Sequence, residues 1–182
     1  MKLNENQLKE IDEKGYLILP DRFSNEEVNN LRKAMTTVFN EKTEANIVEK
    51  SSGVVRTAMG LHLRSKIFDD LTRHPKFFEP ACQIRGRNLY IQQTKINVKA
   101  AFTGEVWQWH YDFATHSGED GSPKPLALNL HVFLDDVTEF NGPLFFIPKS
   151  HKYASAPSKL DTVTTNYPLW GVDQQTVKTL VK

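Results

Sequence analysis

The stretch Trp107-Gln-Trp-His-Tyr-Asp112 best indicates the fold, because it is expected to form a β-strand with His110 and Asp112 two residues apart. Side chains at this spacing point to the same face of a strand, so an imidazole nitrogen and a carboxylate oxygen can meet at one point. Such a pair supplies two of the three ligands of the facial set that binds non-haem Fe(II). The spacing alone is weak evidence, since an exposed strand can also present both side chains to water.

The composition is that of one soluble globular domain, with 182 residues of which 39% are hydrophobic and 25% charged. With 23 basic and 22 acidic residues, the net charge of +1 gives no reason to expect nucleic acid as a partner. The single cysteine, Cys82, excludes an intrachain disulfide and a thiolate metal site. The sequence shows neither a signal peptide nor a membrane span, so we expect a cytoplasmic protein.

Helical periodicity gives way to strand-like alternation near residue 88. Helices are expected at 4–14, after the capping box Ser24-Asn-Glu-Glu27, at 64–85 with a break at Pro75, and after the N-cap Asp173. Strands are expected at 16–19, 89–98, 107–112, 126–134 and 144–147. This order predicts one domain over residues 1–182, mostly β with flanking α-helices, in which the helices pack on a β-sandwich or jelly roll.

Several motifs accompany the His-x-Asp pair. They are Trp109-His-Tyr-Asp-Phe113, Asp120-Gly-Ser-Pro-Lys-Pro125, Ala127-Leu-Asn129 and Asn141-Gly-Pro-Leu-Phe-Phe-Ile-Pro-Lys-Ser-His-Lys152. Together they resemble the phytanoyl-CoA dioxygenase family of Fe(II)- and 2-oxoglutarate-dependent oxygenases, nearest the bacterial branch that includes ectoine hydroxylase. The resemblance extends from Gly15 to the end of the chain, and this combination of motifs is highly specific.

The resemblance implies a double-stranded β-helix, a cupin-like jelly roll, over residues 89–182, with residues 1–88 as a mainly helical flank. It also implies that His110 and Asp112 hold Fe(II). In the implied reaction, 2-oxoglutarate and O2 are consumed to give succinate and CO2 while a C–H bond is hydroxylated. Asp112 argues against a halogenase, because that chemistry needs the carboxylate removed so that chloride can bind iron.

The family's third metal ligand is a histidine on a late strand, followed by an arginine that pairs with 2-oxoglutarate, and the sequence stops before both. His151 is the only histidine far enough beyond Asp112 to serve as the third ligand. It lies, however, in Ile147-Pro-Lys-Ser-His151, which matches a turn motif of the family. We therefore expect the chain to lack the C-terminal third of a longer enzyme. An unpaired sheet edge would then favour self-association, as a homodimer or an aggregate.

The resemblance assigns Lys95, Asn129 and Trp107 to the cosubstrate. An ammonium such as that of Lys95 is a suitable point charge for a 2-oxoglutarate carboxylate, although an outward-facing strand lysine is an equal alternative. Asn129 is expected on a strand with apolar neighbours, where a buried amide needs a partner. Trp107 would shield the iron site, with a packing role as the alternative.

The substrate candidates are Gln93, Arg56, His62 and His116. Gln93 matches a position that faces the substrate in ectoine hydroxylase, and His116 stands where that enzyme has a tryptophan, which favours a different substrate. Arg56 and His62 match a loop that closes over the pocket, where an arginine could hold a carboxylate bidentately. The alternatives are a surface salt bridge for Arg56 and an ordinary helix-flanking histidine for His62.

These observations favour an Fe(II)- and 2-oxoglutarate-dependent dioxygenase that hydroxylates a small polar molecule, such as an amino acid or a compatible solute. A long acyl-CoA substrate is disfavoured, because clusters of basic residues that would suit its nucleotide are not evident. One alternative is a catalytically inactive fragment or degenerate binding module of the same fold. Another is a cupin-like isomerase or hydrolase, whose activity would not depend on 2-oxoglutarate.

Overall fold

The computed structural model describes residues 2–153 and 157–181 of the chain. It divides into two compact units, each treated by itself below. Unit 1 comprises Met1–Leu3, Leu19–Gly104 and Leu128–Pro143. Unit 2 comprises Asn4–Ile18, Glu105–Ala127 and Leu144–Lys182.

Helices and short strands alternate along the described residues. The helices are α1 Glu5–Lys14, α2 Asn25–Phe39, α3 Leu61–Arg64, α4 Lys66–Arg73, α5 Pro75–Arg85, α6 Asp112–Gly118 and α7 Gln174–Leu180. The strands are β1 Asn46–Val48, β2 Val55–Met59, β3 Lys95–Asn97, β4 Ser158–Asp161 and β5 Leu169–Val172. Each helix in this part of the chain falls short of the length and apolar character that crossing a membrane requires.

Local capping explains where the helices of unit 1 begin. The Ser24 hydroxyl accepts a hydrogen bond from the Glu27 amide, and the Glu27 carboxylate accepts one from the Ser24 amide, as the capping box predicts. The expected break in the 64–85 segment is also confirmed, because α4 ends before His74 and Pro75 is the first residue of α5. A proline fits this position, since the first helical amide has no acceptor within the helix.

A three-stranded antiparallel sheet in the order β1-β2-β3 forms one layer of unit 1. Leu31 and Val38 of α2 pack with Ala58 of β2, Leu61 of α3 and Phe68 of α4 into a core whose members are at most 4% exposed. Helices α2, α3 and α4 therefore share one core with strand β2 of this sheet.

Unit 2 contains the β4–β5 hairpin, paired antiparallel from Ser158↔Val172 to Asp161↔Leu169. Helix α7 begins at the N-cap Asp173, whose carboxylate accepts from the Thr176 amide, as the sequence predicts. Helix α1 ends at Gly15, which has the left-handed φ of +87° that glycine adopts without strain.

The expectation of a mostly β chain is wrong, since the described strands have only three to five residues each. The segments 16–19, 126–134 and 144–147 contain no strand, and the 89–98 segment is reduced to β3. A β-rich segment becomes a strand only when a neighbouring strand satisfies its backbone groups. In the expected strands 107–112, 126–134 and 144–147, several large apolar side chains are instead 42–68% exposed: Trp109, Leu126, Leu130, Phe133, Phe145 and Phe146.

Candidate metal centre

The structure brings the side chains of His110 and Asp112 together, with Nε2 of the imidazole 3.2 Å from Oδ1 of the carboxylate. The segment is not the continuous strand that the sequence suggests. His110 makes an isolated antiparallel bridge to Gly171, and Asp112 is already the first residue of α6. A carboxylate in the first helical turn is favoured by the helix dipole, so the helix start holds the second member of the pair.

The backbone sets the tautomer of His110. Its Nδ1 lies 2.8 Å from the carbonyl oxygen of Gln108. A carbonyl can only accept, so Nδ1 carries the proton and donates it to this bond. Nε2 is therefore the ring nitrogen that faces Asp112, and in the neutral imidazole it is the atom that can bind a metal.

The pair fits a divalent transition metal. Two donors 3.2 Å apart can reach one cation at metal–ligand distances of roughly 2.0–2.2 Å. An imidazole nitrogen with a carboxylate oxygen is the mixed donor set found in non-haem iron sites. Both side chains are partly exposed, at 30% and 36%, so a cation can approach them.

The described residues contain no cluster of three or more His, Cys, Asp or Glu side chains suited to a metal. His151, the one substitute considered from spacing, is engaged elsewhere in unit 2. Its Nε2 donates to the Asp12 carbonyl at 3.0 Å, at the C-terminal end of α1. Its ring also lies directly against Gly15. His151 therefore caps the C-terminal end of α1, and this contact does not support a ligand role.

Two other predicted site residues lie in unit 2. The Trp107 ring packs against the Tyr167 ring, with centroids 5.5 Å apart. His116, on α6 four residues after Asp112, places Nδ1 3.1 Å from the Asp120 carboxylate and is 16% exposed. The Trp107 contact is that of a packing residue, and the His116 ring is held by Asp120.

Arg56, in unit 1, is almost fully buried together with Glu49, each side chain being 1% exposed. Its Nη1 donates to both Glu49 carboxylate oxygens, at 3.0 and 3.3 Å. The charge of the guanidinium is therefore already balanced inside the unit. This contact does not support the expected role of Arg56 in holding a substrate carboxylate, and the alternative of a surface salt bridge is wrong because the pair is buried.

The remaining predicted residues also belong to unit 1. His62 is partly buried, and its Nδ1 lies 2.6 Å from the hydroxyl of Thr94, a residue that sequence reasoning missed. Lys95 is paired with Met59 in the β2–β3 ladder and is partly buried, while Gln93 just before it is exposed. Asn129 is exposed and outside any strand, contrary to the buried strand position expected for it.

A carboxylate that sequence reasoning missed lies next to the metal-ligand segment. Asp161, at the end of β4, accepts a hydrogen bond from the Gln108 side-chain amide at 3.0 Å. The Thr164 hydroxyl and the amides of Thr164 and Val163 also donate to it, and these bonds hold its pKa far below the usual range. The available signal was the Asp-x-x-Thr spacing at 161–164, which recurs at the N-cap Asp173.

Comparison with known proteins shows the family of the chain. Residues 11–179 match the family model described as phytanoyl-CoA dioxygenase (PhyH). The chain belongs to the phytanoyl-CoA dioxygenase family. Its resemblance in sequence is thereby confirmed, and the family is one of dioxygenases.

Family relatives with known activities are similar over most of this chain. An ectoine dioxygenase of Bordetella parapertussis is 36% identical over 154 residues, which are 82% of this chain and 50% of the relative. An L-proline trans-4-hydroxylase of Streptomyces griseoviridis is 39% identical over 136 residues, 75% of this chain and 51% of that protein. The chain thus spans about half the length of these relatives.

Solved structures of one family member show the same fold. EctD from S. alaskensis with 2-oxoglutarate and 5-hydroxyectoine superposes with a TM-score of 0.83 at 31% identity, covering 98% of this chain and 60% of that one. EctD from S. alaskensis with bound Fe superposes with a TM-score of 0.82 at 29% identity. That relative therefore binds iron and 2-oxoglutarate on a scaffold similar to the one described above.

Proposed function

We propose that this chain is the metal-binding part of an Fe(II)- and 2-oxoglutarate-dependent dioxygenase that hydroxylates a small polar molecule. The proposed coproducts are succinate and CO2. One observation carries the proposal: Nε2 of His110 and Oδ1 of Asp112 converge to 3.2 Å, with the Nδ1 proton fixed on a backbone carbonyl, in a chain of this family. The double-stranded β-helix of residues 89–182 remains part of the proposal and is supported by the similarity to EctD.

His110 and Asp112 would hold the iron. When bound, Fe(II) with 2-oxoglutarate and O2 supplies the oxidant that attacks an unactivated C–H bond. The chain's own contribution is to orient the His110 imidazole and to favour the charged form of Asp112. Gln108 accepts the Nδ1 proton of His110, so Nε2 is the ring nitrogen left to face the metal. The start of α6 favours the ionised carboxylate of Asp112.

The cosubstrate and substrate residues stay predictions from the family resemblance. Lys95, Asn129 and Trp107 are proposed for 2-oxoglutarate. Gln93, His62, His116 and Arg56 are proposed for the substrate, and of these Arg56 has the least support because Glu49 already neutralises it. Cytoplasmic localisation and a homodimer likewise stay predictions.

The proposed substrate class is a small amino acid or a compatible solute. Ectoine dioxygenases and an L-proline hydroxylase are both relatives of this chain at 36–39% identity, and their named substrates are small and polar. His116 replaces the tryptophan expected in ectoine hydroxylase, and its ring is held by Asp120. This difference favours an amino acid other than ectoine.

A second candidate function is a non-catalytic module that keeps the fold. The observation in its favour is that, among the described residues, His110 and Asp112 are not joined by a third protein ligand. Two ligands bind a cation more weakly than three, so turnover by the 182-residue chain alone distinguishes the two candidates.

The test is an anaerobic titration of the chain with Fe(II) and 2-oxoglutarate, followed by the visible charge-transfer band of the chelate. We expect a band in the wild type and in His131→Ala, which changes an exposed histidine outside the predicted site. We expect no band in His110→Ala. Succinate formation on adding O2 would exclude the non-catalytic module, whereas a folded wild type without a band would contradict the dioxygenase proposal.

A further inference from the structure

We propose that Asp161 is a positioning residue for the metal ligand His110 and acts through Gln108. The inference rests on the proposed function, because it concerns the ligand segment of the proposed iron site. It adds a role for the β4–β5 hairpin, which follows the ligands by about fifty residues in sequence.

The Asp161 carboxylate is rigidly held. Its Oδ1 accepts from the amides of Val163 and Thr164, each at 2.9 Å. Its Oδ2 accepts from the Thr164 hydroxyl and, at 3.0 Å, from Nε2 of Gln108. Three of these four bonds come from the turn that follows β4, so the turn fixes the orientation of the carboxylate. The fourth bond holds the Gln108 side chain against this fixed acceptor.

Gln108 connects this carboxylate to the imidazole. Its side-chain amide donates to Asp161, while its backbone carbonyl accepts the Nδ1 proton of His110 at 2.8 Å. Both groups belong to one residue, so anchoring the side chain restricts rotation of the peptide that carries the carbonyl. A second-shell acceptor of this kind fixes the tautomer and the ring orientation of a ligating histidine.

The β4–β5 hairpin also contacts the ligand segment on both sides of Gln108. The Val172 amide donates to the Trp109 carbonyl at 2.7 Å, and Gly171 makes the bridge to His110. Before Gln108, the Trp107 ring packs on Tyr167 in the loop between β4 and β5. Strand β5 therefore fixes the backbone and Asp161 fixes the side chain of the residue that orients His110.

The hairpin also supports the helix that carries the second ligand. The Trp170 indole donates to the Glu119 carboxylate at 3.1 Å, just beyond the end of α6. A Cβ added to Gly118 would lie only 3.2 Å from the Trp170 ring, which shows how closely the indole approaches this helix. Since Asp112 begins α6, one hairpin bears on both members of the His110–Asp112 pair.

The test compares Asp161→Asn with Asp173→Asn in the complete chain. Asp173 is the matched control, because it also accepts from an amide and a hydroxyl in an Asp-x-x-Thr turn of unit 2 but caps α7 instead. Asparagine at 161 removes the charged acceptor of the Gln108 N–H, and even if the Gln108 amide turns over, only a weaker neutral bond can form. We expect Fe(II) affinity, measured by anaerobic calorimetry, to fall about tenfold in Asp161→Asn and to stay unchanged in Asp173→Asn.

Thr164→Val distinguishes an effect on the orientation of His110 from a general loss of stability in the hairpin. It removes the hydroxyl bond to Asp161 and leaves the Gln108 bond in place, so it should lower thermal stability while keeping Fe(II) affinity. Gln108→Leu should weaken binding as much as Asp161→Asn, and the double variant should be no worse than either single one. Additive losses would contradict a shared path through Gln108.

A metal-free readout distinguishes failure of this inference from failure of the proposed function. Side-chain ¹⁵N NMR of His110 in the apo chain should show the Nδ1–H tautomer, with a smaller share in Asp161→Asn and no change in Asp173→Asn. If the wild type does not bind Fe(II), the proposed function fails while this readout still decides the positioning role. Wild-type affinity together with an unchanged tautomer in Asp161→Asn would overturn the inference.

Discussion

The β1-β2-β3 sheet of unit 1 and the β4–β5 hairpin of unit 2 are held by different forces. In the sheet, Ala58 and Thr57 are fully buried, and a buried ion pair joins Arg56 to Glu49. The hairpin instead makes its contacts through polar and aromatic side chains that are mostly only partly buried. Full burial resists rearrangement, whereas partly exposed polar contacts orient groups with a small effect on stability. The first region therefore supplies stability, and the second supplies geometry.

The largest effect is expected from breaking the buried ion pair of unit 1. Arg56→Met should lower the free energy of unfolding by about 3–5 kcal/mol, because it leaves the Glu49 carboxylate buried without its cation. Chemical denaturation measures the loss. The double variant Arg56→Met/Glu49→Leu should recover most of it, since an apolar pair of similar volume replaces the ions. No recovery would mean that the pair is needed for more than mutual neutralisation.

A smaller effect is expected in unit 2, where Gly15 meets the His151 ring. Gly15→Ala should cost about 2 kcal/mol, because alanine is strained at φ +87° and its Cβ would clash with Nδ1 of the His151 ring. Thermal unfolding reports the change. Adding His151→Ala should restore part of the loss by removing the clash. A double variant as unstable as Gly15→Ala would assign the whole cost to the backbone.

The capping box of α2 gives a pH-dependent effect of about 1 kcal/mol or less, because Glu27 is one-third exposed. Its bonds to Lys76 and to the Ser24 amide lower the Glu27 pKa to about 2. The folded pKa lies below the unfolded one, so this stability is present above about pH 4.5 and is lost as the pH falls toward 2.

Thermal unfolding between pH 7 and pH 2 tests this dependence. Glu27→Gln should be less stable than the wild type at pH 7 and should lose less stability on acidification. Glu26→Gln, which changes the neighbouring residue in the same helical turn, is the control and should follow the wild type. Equal curves for all three proteins would argue against the Glu27 contacts.

The smallest effect on stability is expected at the proposed metal ligand His110. His110→Ala should change the free energy of unfolding of the metal-free chain by less than about 0.5 kcal/mol, since the side chain is partly exposed and its contacts with the Gln108 carbonyl and the Asp112 carboxylate are open to solvent. Denaturation in the presence of a chelator measures this value. A loss as large as that of Arg56→Met would make His110 a stability residue rather than a ligand.

Features encoded within a few residues could be predicted from the sequence. The capping box at Ser24 and Glu27, the break at Pro75 and the N-cap Asp173 are all confirmed, because each depends on side chains within four positions. Local chemistry was sufficient for these features. His110 and Asp112 do converge, but through an isolated bridge and a helix start rather than through the strand that their spacing suggested.

Features that depend on distant pairing could not be predicted. The segments 126–134 and 144–147 have strand-like composition, yet no strand forms there among the described residues because a ladder needs a neighbour. The burial of Arg56 depends on pairing with Glu49 across the β1–β2 turn, which the sequence does not reveal. The contact between Gln108 and Asp161 spans 53 positions, so a motif search centred on His110 does not reach it.

The separation of Gln108 from Asp161 has a consequence for synthesis. The ligand segment leaves the ribosome 53 residues before the hairpin that steadies it. At roughly 5–20 residues per second, translation keeps the two apart for about 3–10 s. During that interval the Gln108 side chain lacks its Asp161 acceptor, so the carbonyl that accepts from His110 is not yet anchored. If His110 binds iron as proposed, its final orientation would therefore be reached only after the β4–β5 hairpin has been made.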